Sequence, residues 1–303
     1  MLRVCYADDE EEEWPIFFEA SQQTRKAARP RQQLANFVFR RLRAQPFWEV
    51  SDAGEDIMRL CSSLEAAFNA IAAEATALLT PLLDGGGSDS DDCPTAHWEA
   101  QGEGIHQGVW LRCQLWSGGV RRRNFECVPT LAALLDASPA LMRDPPGRCY
   151  LSLMLAAGDA TGSGTRVAAH AGPSNHRLRL HLPILLPKQP ASPSAGEPAA
   201  PYLGIVVGEQ RRRWRRGRCL LFDDSFTHHV DLSTCAPPTS AATPPAAPAA
   251  AAAAAAGGDG GSDGGGAALD AARLLLVVDC WHPDAEWLCP KVQRKGCDGT
   301  YVV

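Results

Sequence analysis

His170-Ala-Gly-Pro-Ser-Asn-His-Arg-Leu-Arg-Leu-His-Leu182 decides the fold. From Arg177 onward polar and apolar residues alternate. Arg177, Arg179 and His181 therefore share one face of a strand, and Leu178, Leu180 and Leu182 share the other. The same period of two recurs on both sides. Trp110–Trp116, Cys149–Leu155, Arg177–Leu186, Leu203–Val207, Arg218–Phe222, His228–Leu232 and Arg273–Trp281 all read as short strands. Before them, Ile57, Leu60, Leu64, Phe68, Ile71, Ala75 and Leu78 recur at three- and four-residue steps, which predicts one amphipathic helix. Many short strands with helices confined to the first part imply a mainly β protein. The expected architecture is an antiparallel barrel or jelly roll with an N-terminal helical layer.

The rest of the chain divides around that domain. Residues 1–20 carry the acidic run Asp8 to Glu13 and read as a flexible tail; 21–44 favour helix, broken near Pro30. The domain proper spans 45–283, and 284–303 form a C-terminal tail. Residues 84–92, 187–201 and 236–268 are low-complexity insertions, and 156–165 is Gly-rich. Across 303 residues the net charge is −6, which argues against a dedicated nucleic-acid binder. No apolar run is long enough to span a membrane, and the acidic N-terminus is no secretory signal, so a soluble cytoplasmic protein is expected. The 11 cysteines show no CxxC spacing. Cys113, Cys149, Cys219 and Cys280 fall in strand-like runs and read as small buried hydrophobes.

Three segments carry chemistry. In the first, Arg179 and His181 converge from one strand face. Arg offers a planar fork matched to two oxygens, so the pair suits a carboxylate; the bland alternative is a solvated strand face. The second segment, Gly217 to Val230, runs through an Asp223-Asp224-Ser225 turn to His228. His170 and His228 each flank a strand and suit two ligands on one metal, although separated histidines are more often merely structural. The third opens at Arg273 and continues through an apolar strand to Pro283. A buried Arg needs an anion, either a ligand or, within the chain, Asp279.

Taken in order, HxGPxNxRLRxHL, GxxLxFDDSFxHxV and RLxxxVDxWHP resemble the aspartyl/asparaginyl β-hydroxylases, a family of Fe(II)/2-oxoglutarate oxygenases. Weaker likeness reaches upstream to Gln45-Pro46-Phe47-Trp48, Trp110, Asn124, Pro129 and Thr130. The resemblance implies a double-stranded β-helix, a cupin-like jelly roll. It implies iron ligands at His170 and His228, with Ser152 and Arg273 on the distal carboxylate of 2-oxoglutarate. Arg179 and His181 then fall on the carboxylate beside the keto group. It further implies consumption of O2, release of succinate and CO2, and Cβ hydroxylation of Asp or Asn in a protein or peptide. Gly172 stands where most such oxygenases carry an acidic third ligand, and this family too does without one. Asp223 and Asp224 could replace it, but turn chemistry is their plainer role.

Two other functions stay open on the sequence. The same chemistry could act on a lipid acyl chain, or the β-helix could be a binding module without catalysis. Arg211-Arg-Arg-Trp-Arg-Arg-Gly-Arg218 is expected to be a solvated hairpin with Trp214 packed inward rather than a nucleic-acid patch. Arg177 or the Arg121–Arg123 run could supply substrate contacts.

Overall fold

Residues 18–19, 37–39, 42–83, 96–101, 106–144, 147–156, 164–188, 202–232 and 270–288 are described by a computed structural model. Their elements, in chain order, are β1 (Phe18–Glu19), β2 (Phe37–Val38), β3 (Phe47–Trp48), α1 (Glu55–Ala66), α2 (Phe68–Leu83), β4 (Trp98–Ala100), β5 (His106–Gln107), β6 (Trp110–Ser117) and β7 (Val120–Arg121). Then follow α3 (Pro129–Ala137), β8 (Arg148–Leu155), β9 (Arg166–His170), β10 (Arg177–Leu185), β11 (Gly204–Val207), β12 (Gln210–Arg213), β13 (Leu220–Phe222), β14 (His228–Asp231) and β15 (Ala272–Trp281).

The larger sheet runs β3-β13-β10-β15-β8-β6-β4, with β7 hairpinned onto β6; the smaller runs β12-β11-β14-β9-β5. From β8 to β15 the chain passes back and forth between them. β8, β10, β13 and β15 lie in the larger sheet, β9, β11, β12 and β14 in the smaller. That alternation, with antiparallel pairing, is a double-stranded β-helix. The pleat sends side chains of the larger sheet to two different cores. Leu178, Leu180, Leu182, Leu274, Leu276 and Val278 pack with Ile57, Leu64, Ile71 and Leu131 of the helical layer. Tyr150, Met154, Leu275, Val277 and Phe222 instead meet Val167, Ile205, Val207 and Val230 of the smaller sheet. The site residues lie on this second face.

The expected strands are present, several of them a residue or two shorter or longer. Two expectations need correction. The amphipathic stripe is two helices, because the backbone at Ala67 leaves helical geometry at φ −89°, ψ 10°. Phe68, opening α2, lies 5.0 Å below the Arg216 guanidinium. Ahead of the His170 motif, Arg166–His170 forms β9, its pairing to β5 and β14 overriding an Ala-rich composition. The helical lead-in over 21–44 falls largely outside the described residues, and where it is described it is extended. Phe39 shows why. Its N–H donates to Asn175 Oδ1 at 2.8 Å, and its carbonyl accepts from Asn175 Nδ2 at 3.0 Å, so a side-chain amide imitates a strand partner.

The insertions 84–92, 187–201 (save its first two residues) and 236–268 lie outside the described residues, as do most of both tails. Gly118 and Gly119, with φ of 62° and 80°, make the two-residue turn between β6 and β7. At the N-terminus of α3 the Glu74 carboxylate accepts from the N–H groups of Thr130 and Leu131, at 2.7 and 3.2 Å. Cys113, Cys149 and Cys280 are buried in the core, and Cys219 is half-buried. Trp214 is buried behind the β11–β12 hairpin, as its arginine-rich setting predicts. Among the described residues no helix is long and apolar enough to cross a membrane.

Candidate active site

His170 and His228 are cross-strand partners on β9 and β14. Directly opposed residues share a sheet face, and here the two ring centroids are 4.2 Å apart. A bulge lies between Val167 and His170. Val167 opposes Val230 while His170 opposes His228, so three steps on β9 match two on β14. In a regular strand residues three apart point to opposite faces; the bulge absorbs the extra residue, and His170 keeps the face of Val167. Each imidazole is pinned in the same way. Nδ1 of His170 lies 2.9 Å from the Ala168 carbonyl, and Nδ1 of His228 lies 2.9 Å from the Phe226 carbonyl. A carbonyl only accepts, so both Nδ1 atoms carry the proton and both Nε2 lone pairs remain available.

Burial pushes both rings towards the neutral form a metal needs. His170 is lowered first by desolvation, with Arg179 and Arg112 adding to it. His228, pressed also by His170, falls to about 3. Among the described residues no group of three or more His, Cys, Asp or Glu side chains gathers as a metal centre. A metal here would rest on the two histidines. Gly172 fits this, since a Cβ there would run into the Asp224 carboxylate. The Asp224 carbonyl also accepts from the Gly172 N–H at 2.6 Å.

Asp224 belongs instead to a buried set of four charges. Arg177 donates to it from Nε and Nη2 at 3.2 and 2.6 Å, and Arg179 Nη1 lies 3.1 Å away. Asp279 closes the set, taking Arg177 Nη1 at 2.9 Å and Arg179 Nε at 2.8 Å. Both aspartates are fully buried. Desolvation alone would raise Asp224, but the two guanidinium groups outweigh it and hold the carboxyl well below its usual range. Asp223 makes the expected turn, its Oδ1 accepting from the Ser225 N–H at 2.9 Å.

Arg273 stands apart. It is 2% exposed, and no carboxylate faces it among the described residues. Its Nη2 donates to Ser152 Oγ at 2.8 Å, while its Nε is buried without a hydrogen-bond partner. Burial pushes this guanidinium down to about 9. Trp110 Nε1 also donates to Ser152 Oγ, at 3.0 Å, so the hydroxyl accepts twice and its own proton is left to donate. His181 lies nearby, its Nδ1 accepting from Trp214 Nε1 at 3.3 Å. That leaves its proton on Nε2. Desolvation, then Arg273 and Arg179, keep the ring neutral.

Residues 65–236 match the family model for aspartyl/asparaginyl beta-hydroxylase. The chain belongs to the aspartyl/asparaginyl β-hydroxylase family. An aspartyl/asparaginyl beta-hydroxylase of Homo sapiens is 28% identical over 255 residues, 84% of this chain and 24% of that protein. The Mus musculus counterpart gives 28%, 84% and 25%. Aspartate beta-hydroxylase domain-containing protein 2 of Rattus norvegicus is 31% identical over 123 residues, 40% of this chain and 30% of that protein. The chain thus spans about a quarter of the length of the named hydroxylases. Among solved structures, AviO1 from Streptomyces viridochromogenes Tue57 is 14% identical, covering 72% of this chain and 86% of that one, with a TM-score of 0.29.

The six residues picked from sequence come together around one space. His170 and His228 face it from the smaller sheet; Ser152, Arg179, His181 and Arg273 face it from the larger. Arg179 sits there ion-paired rather than as an open fork. Arg177, a possible substrate contact on the sequence, is likewise bound up with Asp224 and Asp279. Arg121 lies on the β7 hairpin, paired with Asp136 at 2.6 Å, and does not join the site. Sequence reasoning missed Arg112 and the placing of Trp110. The period-two pattern of β6 gave a usable signal, since both fall on the face opposite Leu111 and Cys113.

Acid is expected to destabilise this fold. His228 titrates near 3 and His176 near 4 while folded, against an ordinary value of 6.5. Below that ordinary value the unfolded chain binds protons that the folded chain refuses. Stability therefore falls as pH drops through this window, a tenfold difference in proton affinity between the two states being worth about 1.4 kcal/mol. The melting temperature should decline steadily from pH 7 to 4, and less steeply in His228→Gln. A flat profile in the wild type would mean that the imidazoles take up protons in place.

Proposed function

We propose that the chain is an Fe(II)/2-oxoglutarate-dependent hydroxylase acting on Cβ of Asp or Asn in a protein or peptide. The observation that carries this reading is the pairing of two features. Two neutral imidazoles stand side by side with their Nε2 atoms unspent, and across from them lies a buried arginine that no carboxylate of the described residues neutralises. A dicarboxylate that also chelates a metal answers both. When bound, Fe(II) and 2-oxoglutarate would supply the oxidising power, with O2 consumed and succinate and CO2 released.

The chain's own residues then have defined tasks. His170 and His228 hold the metal through Nε2, their Nδ1–H groups tied to backbone carbonyls so that neither ring can turn away. Arg273 and the Ser152 hydroxyl bind the far carboxylate of the cosubstrate. His181 donates from Nε2, and Arg179, fixed by two aspartates, presents its remaining donors towards the near carboxylate. Phe222 packs edge-on to both His181 and His228 and sets an apolar ring beside them.

The test has two parts. Under anaerobic conditions His170→Ala and His228→Ala should each lose Fe(II), with circular dichroism unchanged. In air with Fe(II), the wild type should form succinate from 2-oxoglutarate and leave Asp- or Asn-containing peptides one oxygen heavier on Cβ. Equal iron occupancy in all three proteins would remove the histidines from the site. Oxygen on a lipid acyl chain, with peptides untouched, would redirect the substrate.

A further inference from the structure

Four arginines reach the space between the sheets from the larger one: Arg112, Arg177, Arg179 and Arg273. Asp224 and Asp279 account for Arg177 and Arg179. Arg273 is explained if a dicarboxylate cosubstrate binds. Arg112 is left over.

Its position is well defined. Arg112 on β6 lies opposite Ser152 on β8, so it shares the face of the residue that binds Arg273. Its guanidinium rests 4.5 Å from the Trp110 ring centroid and 4.9 Å from that of Tyr150. Two aromatic faces fix the fork without satisfying its donors. Its Nε is buried and has no hydrogen-bond partner, and no ion pair is formed with it among the described residues. An unpaired buried donor costs stability unless something arrives to use it. A guanidinium held flat, on the same face as Ser152 and on the far side of it from Arg273, is a receptor for a second carboxylate.

We propose that Arg112 binds the carboxylate of the side chain being hydroxylated, so that the enzyme selects Asp over Asn. This rests on the hydroxylase reading above. The reason is one of donors and acceptors. Two parallel N–H groups match two carboxylate oxygens, whereas an Asn side chain turns its own NH2 against one of them. The carboxylate of Asp is bonded directly to Cβ, so gripping it also fixes the position of Cβ. Sites built on a specific polar match reject the mismatched analogue far more strongly than apolar pockets reject a missing methylene.

The test uses the full chain loaded with Mn(II) and 2-oxoglutarate without O2. It is titrated with two peptide libraries that differ only in a central Asp or Asn, and binding is read from tryptophan fluorescence. The wild type is expected to favour the Asp library at least tenfold. Arg112→Gln should lose that preference while its affinity for 2-oxoglutarate stays within twofold. Arg112→Lys, which keeps the charge but not the fork, should fall between. No preference in the wild type, no binding of either library, or a 2-oxoglutarate affinity that collapses in Arg112→Gln would each overturn the assignment. The hydroxylase reading fails separately: selective binding of Asp peptides with no succinate formed in air would refute that reading and leave Arg112 an acid receptor. Succinate formed with Asp and Asn peptides hydroxylated equally would refute only the role of Arg112.

Discussion

Asp279→Ala is expected to cost about 3–5 kcal/mol, a large share of the roughly 5–15 kcal/mol that holds a domain together. The carboxylate is fully buried and neutralises two guanidinium groups, of which Arg177 is 4% exposed. It also accepts from the Arg148 N–H at 3.1 Å, so it ties β8, β10 and β15 at one level. Removing it leaves Asp224 alone to balance two buried cations. Asp279→Asn keeps the shape and an acceptor for Arg148 but not the charge, and should cost nearly as much. Urea unfolding of both variants provides the check. A change below about 1 kcal/mol would show that water, not Asp279, satisfies the arginines.

Arg273→Met is expected to move the two measurable quantities in opposite directions. Its guanidinium has no carboxylate among the described residues, so an apolar side chain of similar length removes a buried charge and should leave the free protein as stable or more so. Affinity for 2-oxoglutarate should fall by on the order of 10²–10³-fold, because one partner of a buried charge-assisted pair is gone. Thermal melting of the free protein and a cosubstrate titration of the metal-loaded protein separate the two. An unchanged titration would take Arg273 out of the cosubstrate site. Lost stability without lost affinity would make it a scaffold residue.

The contrast between these aspartate and arginine predictions marks what is legible without a structure. That Arg177, Arg179 and His181 share a face follows from the period of a strand, and β10 has that face. That Arg273 is buried follows from the apolar run behind it. Partners are harder. Asp279 is the in-chain candidate for Arg273 on sequence, yet six residues along an extended strand span about 20 Å, beyond side-chain reach. Strand geometry alone excludes that pair. The true partners of Asp279 lie 100 and 102 residues away, across a strand pairing that no local pattern announces. Asp224 reads as turn chemistry because its neighbour Asp223 does make the turn. Its own role depends on Arg177 and Arg179 arriving from β10. Arg112 is within reach of the same strand arithmetic, since the period of β6 sets it on the face of Trp110; what no local pattern announces is that Ser152 stands opposite it on β8.

The bulge in β9 concerns where the first imidazole stands, not which way it faces. Long low-complexity stretches stand between several strands of this chain, and a connection outside a strand can grow by any number of residues, odd or even, without changing which way the strands face. Between Val167 and His170 the strand carries one residue more than the stretch it opposes. One residue fewer would set the valine and the histidine two steps apart, as Val230 and His228 are, and a regular ladder would hold both on one face. A bulge bends its strand, so the extra residue tilts β9 ahead of His170 rather than choosing the side its ring takes. Shortening Ala168-Ala169 by one residue would straighten β9 and leave the two imidazoles opposed.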